Sequence, residues 1–255
     1  MTKAASTKLL LILTLGLIGP SLLISADKKW WEETPFQEWS EKQVQSMLTK
    51  SPWTRTYTYS PPSLGSAARP GGDPAGRSVA GRAGRPSNNQ ERPPSVRFRV
   101  HWFSARPTRM ALGKRALQLN PNLKMEQITR FATSPSQDAV VSITIDSNEA
   151  GKRHARALGA VFRRLDLAAA IESTQLTTKG GKKIPLADFR PDAQDGTGAK
   201  FIFARTLQDG RPILEAGDRE ARFRFVTKIS QGRETLRLDV RFKIKDMIYK
   251  REIEY

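Results

Sequence analysis

The chain has no cysteine, which removes structural disulfides, thiolate zinc sites, cysteine nucleophiles and lipid attachment through cysteine in one step. It has two histidines, His101 and His154, so a metal centre built from imidazoles is not expected, and no cofactor is called for. No serine sits in a Gly-x-Ser-x-Gly elbow, and neither histidine has an orienting carboxylate assignable from its neighbours, so His101 with Ser104 carries no hydrolase signature. The stretch TTKGGKKIP lacks the spacing of a phosphate-binding loop. Acidic residues are scarce: 25 Asp and Glu stand against 43 Lys and Arg, a formal net charge of +18. That surplus selects anionic partners and is silent about fold.

The long apolar run lies at the N-terminus. Lys3 and Lys8 precede Leu9 to Ile18, Gly19-Pro20 breaks the run, and Ile24-Ser25-Ala26 places small residues before Asp27. This order predicts a signal peptide over residues 1–26, hence an exported protein, periplasmic or secreted. An uncleaved membrane anchor over residues 9–26 is the competing expectation. Nucleic acid suits the charge but not an exported chain, and no nucleic-acid-binding motif is present.

Residues 27–60 are rich in aromatics. Thr34-Pro35-Phe36-Gln37 has the form of a capping box and predicts a helix start, with Phe36, Trp39, Val44, Met47 and Leu48 on one stripe and Ser51-Pro52 as the stop. A strand is expected at Trp53, Tyr57 and Tyr59, and tryptophans 30, 31, 39 and 53 are expected to dock this helix-strand module on the rest. Residues 61–94 are Pro, Gly, Ser, Ala and Arg with almost no large apolar side chain, which predicts a disordered linker. The main domain is then residues 95–255.

Within it, Phe223, Phe225 and Ile229, then Leu236, Leu238, Val240, Phe242 and Ile244, recur at every second position, with Arg and Lys between them and a turn at Gln231-Gly232. Period-two alternation predicts a half-buried antiparallel hairpin. Val96, Phe98, Val100 and Trp102 repeat the pattern and are expected in the same sheet. Further strands are expected over residues 139–145, 173–178, 183–186 and 200–205. Helices are expected around Met110 to Leu117, around Leu123 to Phe131, and over residues 152–170 with Leu158, Val161, Phe162, Leu165 and Ala169 as its stripe. The fold class is therefore α+β, mainly antiparallel sheet with helices on one face.

The stretches PFQEWSEKQVQSMLTKSPWTR, RVHWFSARPTRMAL, GTGAKFIFAR and VRFKIKDMIY resemble an uncharacterised family of exported proteins from soil bacteria of the acidobacterial type. The resemblance implies export and a single linked unit, with residues 61–94 as an insertion, and implies no chemistry.

Three candidate sites follow. The basic positions of the alternating strands, Arg97, Arg99, Arg222, Arg224, Arg237, Arg241, Lys243 and Lys245, would form a platform for an anionic membrane surface, another anionic envelope component or an acidic protein. Lys152, Arg153 and His154 open a helix, where free backbone N–H groups would receive an anion. Asp188, Asp192 and Asp195, beside glycines, are weak metal candidates, since their spacing does not match a calcium loop. The expected function is a non-enzymatic binding or scaffolding protein of the cell envelope; the alternative is an envelope hydrolase with carboxylates from residues 188–195.

Overall fold

The computed structural model describes residues 29–61, 93–193, 196–229 and 234–255. The expected signal peptide, all of the expected linker but its ends, and the turn at Gln231-Gly232 lie outside them. In chain order the elements are α1 (Trp30–Glu33), α2 (Glu41–Lys50), β1 (Thr54–Tyr59), β2 (Val96–Trp102), α3 (Arg106–Leu119), α4 (Met125–Thr133), β3 (Asp138–Ser147), α5 (Lys152–Arg164), α6 (Leu167–Ser173), β4 (Thr174–Thr178), β5 (Lys183–Ile184), β6 (Leu186–Arg190), β7 (Ala199–Ala204), β8 (Glu220–Ile229), β9 (Glu234–Lys243), β10 (Ile248–Tyr249) and β11 (Glu252–Ile253).

The fold is α+β, and its strand pairs are antiparallel. There are two main sheets: a five-stranded one in the order β1-β2-β3-β7-β6 and a four-stranded one in the order β5-β4-β8-β9. The expectation that β2 shares a sheet with β8 and β9 is therefore corrected. Both edges of β2 are already occupied, by β1 and β3, so no edge is left for the hairpin. The two sets of apolar side chains meet across a core instead. Trp102 of β2 packs edge-on against Phe242 of β9 with centroids 5.7 Å apart, and Phe201 of β7 lies 5.4 Å from both Phe223 and Phe225 of β8. Phe162 of α5 enters this core between Phe98 and Phe225, lying nearly parallel to Phe225 at 5.0 Å.

The other side of the five-stranded sheet is under helices. Gln45 and Leu48 of α2 and Leu112 and Arg115 of α3 line a water-sized space of about 30 Å³ with His101 and Ser142 of the sheet. Helices thus cover the five-stranded sheet, and the outer side of β8 and β9 is left to solvent, with Lys228, Arg237, Asp239, Arg241 and Lys243 exposed. At the seam between the sheets, Arg55 Nε of β1 donates to the Arg241 carbonyl at 2.7 Å and Tyr59 Oη donates to Glu234 Oε2 at 2.8 Å.

The aromatic N-terminal segment is tied in. Trp53 is fully buried and its indole Nε1 donates to the Glu254 carbonyl at 2.8 Å, while Trp39 is buried and stacks edge-on with Trp30. The helix there does not start at Thr34. Residues 36–38 form a single 3-10 turn, and α2 begins after Ser40, whose Oγ accepts from Gln43 N while Gln43 Oε1 accepts from Ser40 N. The cause is Trp39: its indole donates to the Thr34 carbonyl at 2.9 Å, and its own backbone is extended, so the chain cannot run on helically.

Two other boundaries shift for local reasons. The helix expected over residues 152–170 is two helices, because Asp166 breaks it and caps the second by accepting from Ala169 N at 2.8 Å. The strand expected over residues 183–186 is split at Pro185, which has no N–H for a ladder; β5 belongs to the four-stranded sheet and β6 to the five-stranded one. Gly198, with φ +77°, precedes β7 where a Cβ would stand 2.1 Å from the Ile143 carbonyl oxygen, so the approach of β7 to β3 requires glycine there.

Candidate anion-binding surface

The outer side of β8 and β9 is built by their register. Arg222 pairs with Arg241, Arg224 with Asp239, Val226 with Arg237 and Glu220 with Lys243, while Phe223 with Val240 and Phe225 with Leu238 point into the core. Alternation therefore puts Arg222, Arg224, Lys228, Arg237, Arg241 and Lys243 on one face with only Glu220 and Asp239 as strand carboxylates beside them, an excess of four positive charges.

Those two carboxylates hold the face together. Arg222 Nε donates to Asp239 Oδ1 at 2.7 Å, Arg222 Nη2 donates to Asp239 Oδ2, and Arg224 Nη2 reaches the same oxygen at 3.5 Å. Hydrogen bonding from Arg222, more than its charge and that of Arg224, holds the Asp239 carboxyl below its ordinary value. Arg241 Nε lies 3.8 Å from Glu220 Oε1. Directly opposed like charges such as Arg222 and Arg241 cost a sheet roughly 0.2–1 kcal/mol. Asp239 offsets that cost on one strand and Glu220 on the other.

The remaining expected platform residues stand elsewhere. Arg97 and Arg99 lie on β2 in the other sheet, and both pair with Asp146 Oδ2 of β3, at 2.9 and 2.8 Å. They are not part of this face, for the same reason that β2 is not part of this sheet. Lys245 is exposed in the 3-10 turn Ile244–Asp246, just past the end of β9.

The basic turn at Lys152, Arg153 and His154 is not a free helix terminus. A 3-10 turn over residues 149–151 runs into α5, and Asn148 Oδ1 already accepts from Gly151 N at 2.9 Å and from Ser95 N at 3.0 Å. Glu149 supplies an anion at that end and pairs with Lys152 at 2.7 Å. The chain's own Asn148 and Glu149 thus stand at this end, while α5 itself, from Lys152, has no side-chain cap. Asp188 lies on β6, accepts from its neighbour's backbone N–H and stands 3.8 Å from Arg190, Asp192 follows the strand, and Asp195 lies outside the described residues. Among the described residues no three His, Asp or Glu side chains come together as a metal site would need.

Three arginines that the spacing of charges did not single out converge elsewhere. Arg106 and Arg109 open α3, and Arg205 follows β7; with Ser104, Pro135, Ser136, Glu252 and Glu254 they line a cavity of about 140 Å³. Arg106 donates from its backbone N to Glu254 Oε2 at 2.9 Å and from its guanidinium to Glu254 and Glu252. Arg109 donates to the Ser104 carbonyl at 3.1 Å and the Phe131 carbonyl at 2.9 Å. The sequence held one signal: two arginines in the first turn of a helix oppose its dipole, a small cost that a nearby anion offsets. Glu254 supplies that anion for Arg106.

Fold and surface together define an antiparallel α+β protein with helices over one sheet and a cationic face on the other. No family model, curated protein or solved structure matches the chain.

Proposed function

We propose that this is an exported, non-enzymatic envelope protein that rests the outer face of its four-stranded sheet against a phosphate-bearing lipid surface. What supports the reading is the charge excess on a single exposed face: six cations against two carboxylates on two ten-residue strands, opposite the helix-covered side of the molecule. Basic residues near an anionic membrane contribute about 1 kcal/mol each, so four net charges would favour binding by about 4 kcal/mol, roughly a thousandfold. Exposed charges at this range are screened by salt. The test is cosedimentation with phosphatidylglycerol vesicles and with phosphatidylcholine vesicles. The protein should pellet with the first at low salt, leave them as salt rises, and stay in solution with the second. Equal behaviour with both lipids would overturn the reading.

A further inference from the structure

The arginine cavity is separate from the sheet face, and its shape and charge point to a different kind of ligand. Arg109 is only 7% exposed, yet among the described residues no carboxylate lies within ion-pair distance of its guanidinium. Its recorded partners are two main-chain carbonyls, one of them in the last turn of α4, where the negative end of the helix dipole helps to hold a cation. Those two bonds use two of a guanidinium's five N–H groups. Arg205 shares the cavity, donating to the Tyr255 main-chain oxygen at 2.8 Å with its guanidinium over the Tyr255 ring. Burial lowers the Arg109 pKa and the charge of Glu254 across the cavity opposes that, but the hydrogen bonds of Glu254 go to Arg106, so a further anion in the cavity would stabilise the buried guanidinium.

The wall charge indicates the ligand's charge. Among the lining side chains three arginines and two glutamates leave an excess of one positive charge, and Glu252 and Glu254 repel a doubly charged anion such as phosphate more strongly than a singly charged one. A planar guanidinium also matches a carboxylate in its two-point geometry. Beside the cavity, and sharing Ser104, Arg109, Pro135 and Ser136 with it, runs an open trough of about 510 Å³ with Phe103, Phe131 and Val140 as its apolar wall and Gln127 and the exposed Arg130, paired with Glu126, at its edge. That volume is in the range of small-molecule sites, which combine an apolar body with a few convergent polar groups. Phe131 is one of the few large apolar side chains left exposed.

We propose that this composite site binds an amphiphilic organic monocarboxylate, its carboxylate between Arg109 and Arg205 and its apolar body along Phe103 and Phe131. The mode is a two-part recognition in which neither part suffices: the charge fixes the head, and the trough removes the tail from water.

The experiment is calorimetric titration with decanoate below its micelle concentration, with decanol and inorganic phosphate as single-feature probes. Decanoate should bind at one site, and decanol and phosphate at least tenfold more weakly. Arg205→Gln and Phe131→Ser, at half-buried and exposed positions respectively, should each weaken decanoate at least tenfold with near-ultraviolet circular dichroism unchanged. They carry the test even where Arg109→Gln fails to fold. The Arg224→Glu/Arg241→Glu variant, altered on the sheet face, should bind decanoate as the wild type does, which separates this site from the lipid-binding reading. Absence of decanoate binding, decanol binding as tightly, phosphate binding more tightly, or unchanged affinity in both Arg205→Gln and Phe131→Ser would overturn the proposal.

Discussion

Arg222 and Arg241 are direct partners across the β8–β9 ladder, and the carboxylate that makes this tolerable, Asp239, is two residues from Arg241 on the same strand. Asp239 therefore lowers the charge of the face it stabilises. Asp239→Asn should raise the excess by one charge and tighten binding to phosphatidylglycerol vesicles by about 1 kcal/mol, roughly fivefold. The same change should cost about 1 kcal/mol of stability or less, because the pair is partly exposed. Vesicle affinity and urea unfolding of the one variant check both directions; weaker vesicle binding would contradict the account.

The inner side of the same hairpin should respond in the opposite way. Phe242 is fully buried, edge-on to Trp102, and has the Arg55 guanidinium 5.1 Å above its ring. Phe242→Ala should destabilise the protein by about 3–5 kcal/mol, the usual cost of emptying an aromatic core position. Chemical denaturation measures it, and a loss below about 1 kcal/mol would mean that the two sheets do not depend on this contact.

Tyr59 and Val96 are ladder partners, so the residues between them join two adjacent antiparallel strands. A tight turn closes such a connection. Replacing residues 62–92 by Asn-Gly-Ser should leave a cooperative thermal transition within a few degrees of the wild type. Pro93 must stay, since its carbonyl accepts from Asn148 Nδ2 at 2.9 Å. Loss of the transition would show that the removed residues take part in the fold.

His101 gives the chain a defined pH dependence. It is buried beneath α2 and α3, with Nδ1 3.0 Å from Thr54 Oγ1 and Nε2 3.4 Å from Thr144 Oγ1. Burial, and next the positive charges of Arg99 and Arg115, pushes its pKa from 6.5 down to about 3. The unfolded chain takes up a proton below about pH 6.5 that the folded chain refuses. The stability contributed by neutral His101 is thus complete above that pH and declines as pH falls toward 3. Urea unfolding between pH 7.5 and 4.5 should show a steeper loss for the wild type than for His101→Gln. Parallel curves would contradict the assignment.

The hairpin and its two faces were legible because period two admits only one reading: Phe223, Phe225, Leu236, Leu238, Val240 and Phe242 are buried, and the basic positions between them turn outward. Alternation reports which side of a strand is apolar, but not whether two apolar sides are hydrogen-bonded neighbours or face each other. That is why Val96 to Trp102, read into the same sheet, proved to lie across the core. Capping was ambiguous for a different reason. Thr34 with Gln37 and Ser40 with Gln43 both fit the pattern, and the choice fell to the Trp39 indole, whose bond to the Thr34 carbonyl no pattern encodes. The arginine cavity was the least legible, since residues 104–109, 135–136, 205 and 252–254 come together only in the folded chain.

The most direct measurement is vesicle cosedimentation of the Arg224→Glu/Arg241→Glu variant. Two reversals change the face by four charges and bring its excess to zero, while Arg222 gains an opposite charge across the ladder and Asp239 and Glu220 each meet a like one, small effects on a face open to solvent. The account predicts unchanged unfolding, to within about 1 kcal/mol, and no retention on phosphatidylglycerol vesicles at the low salt where the wild type pellets. Retention of the folded variant equal to that of the wild type would contradict the claim that this face is the binding surface.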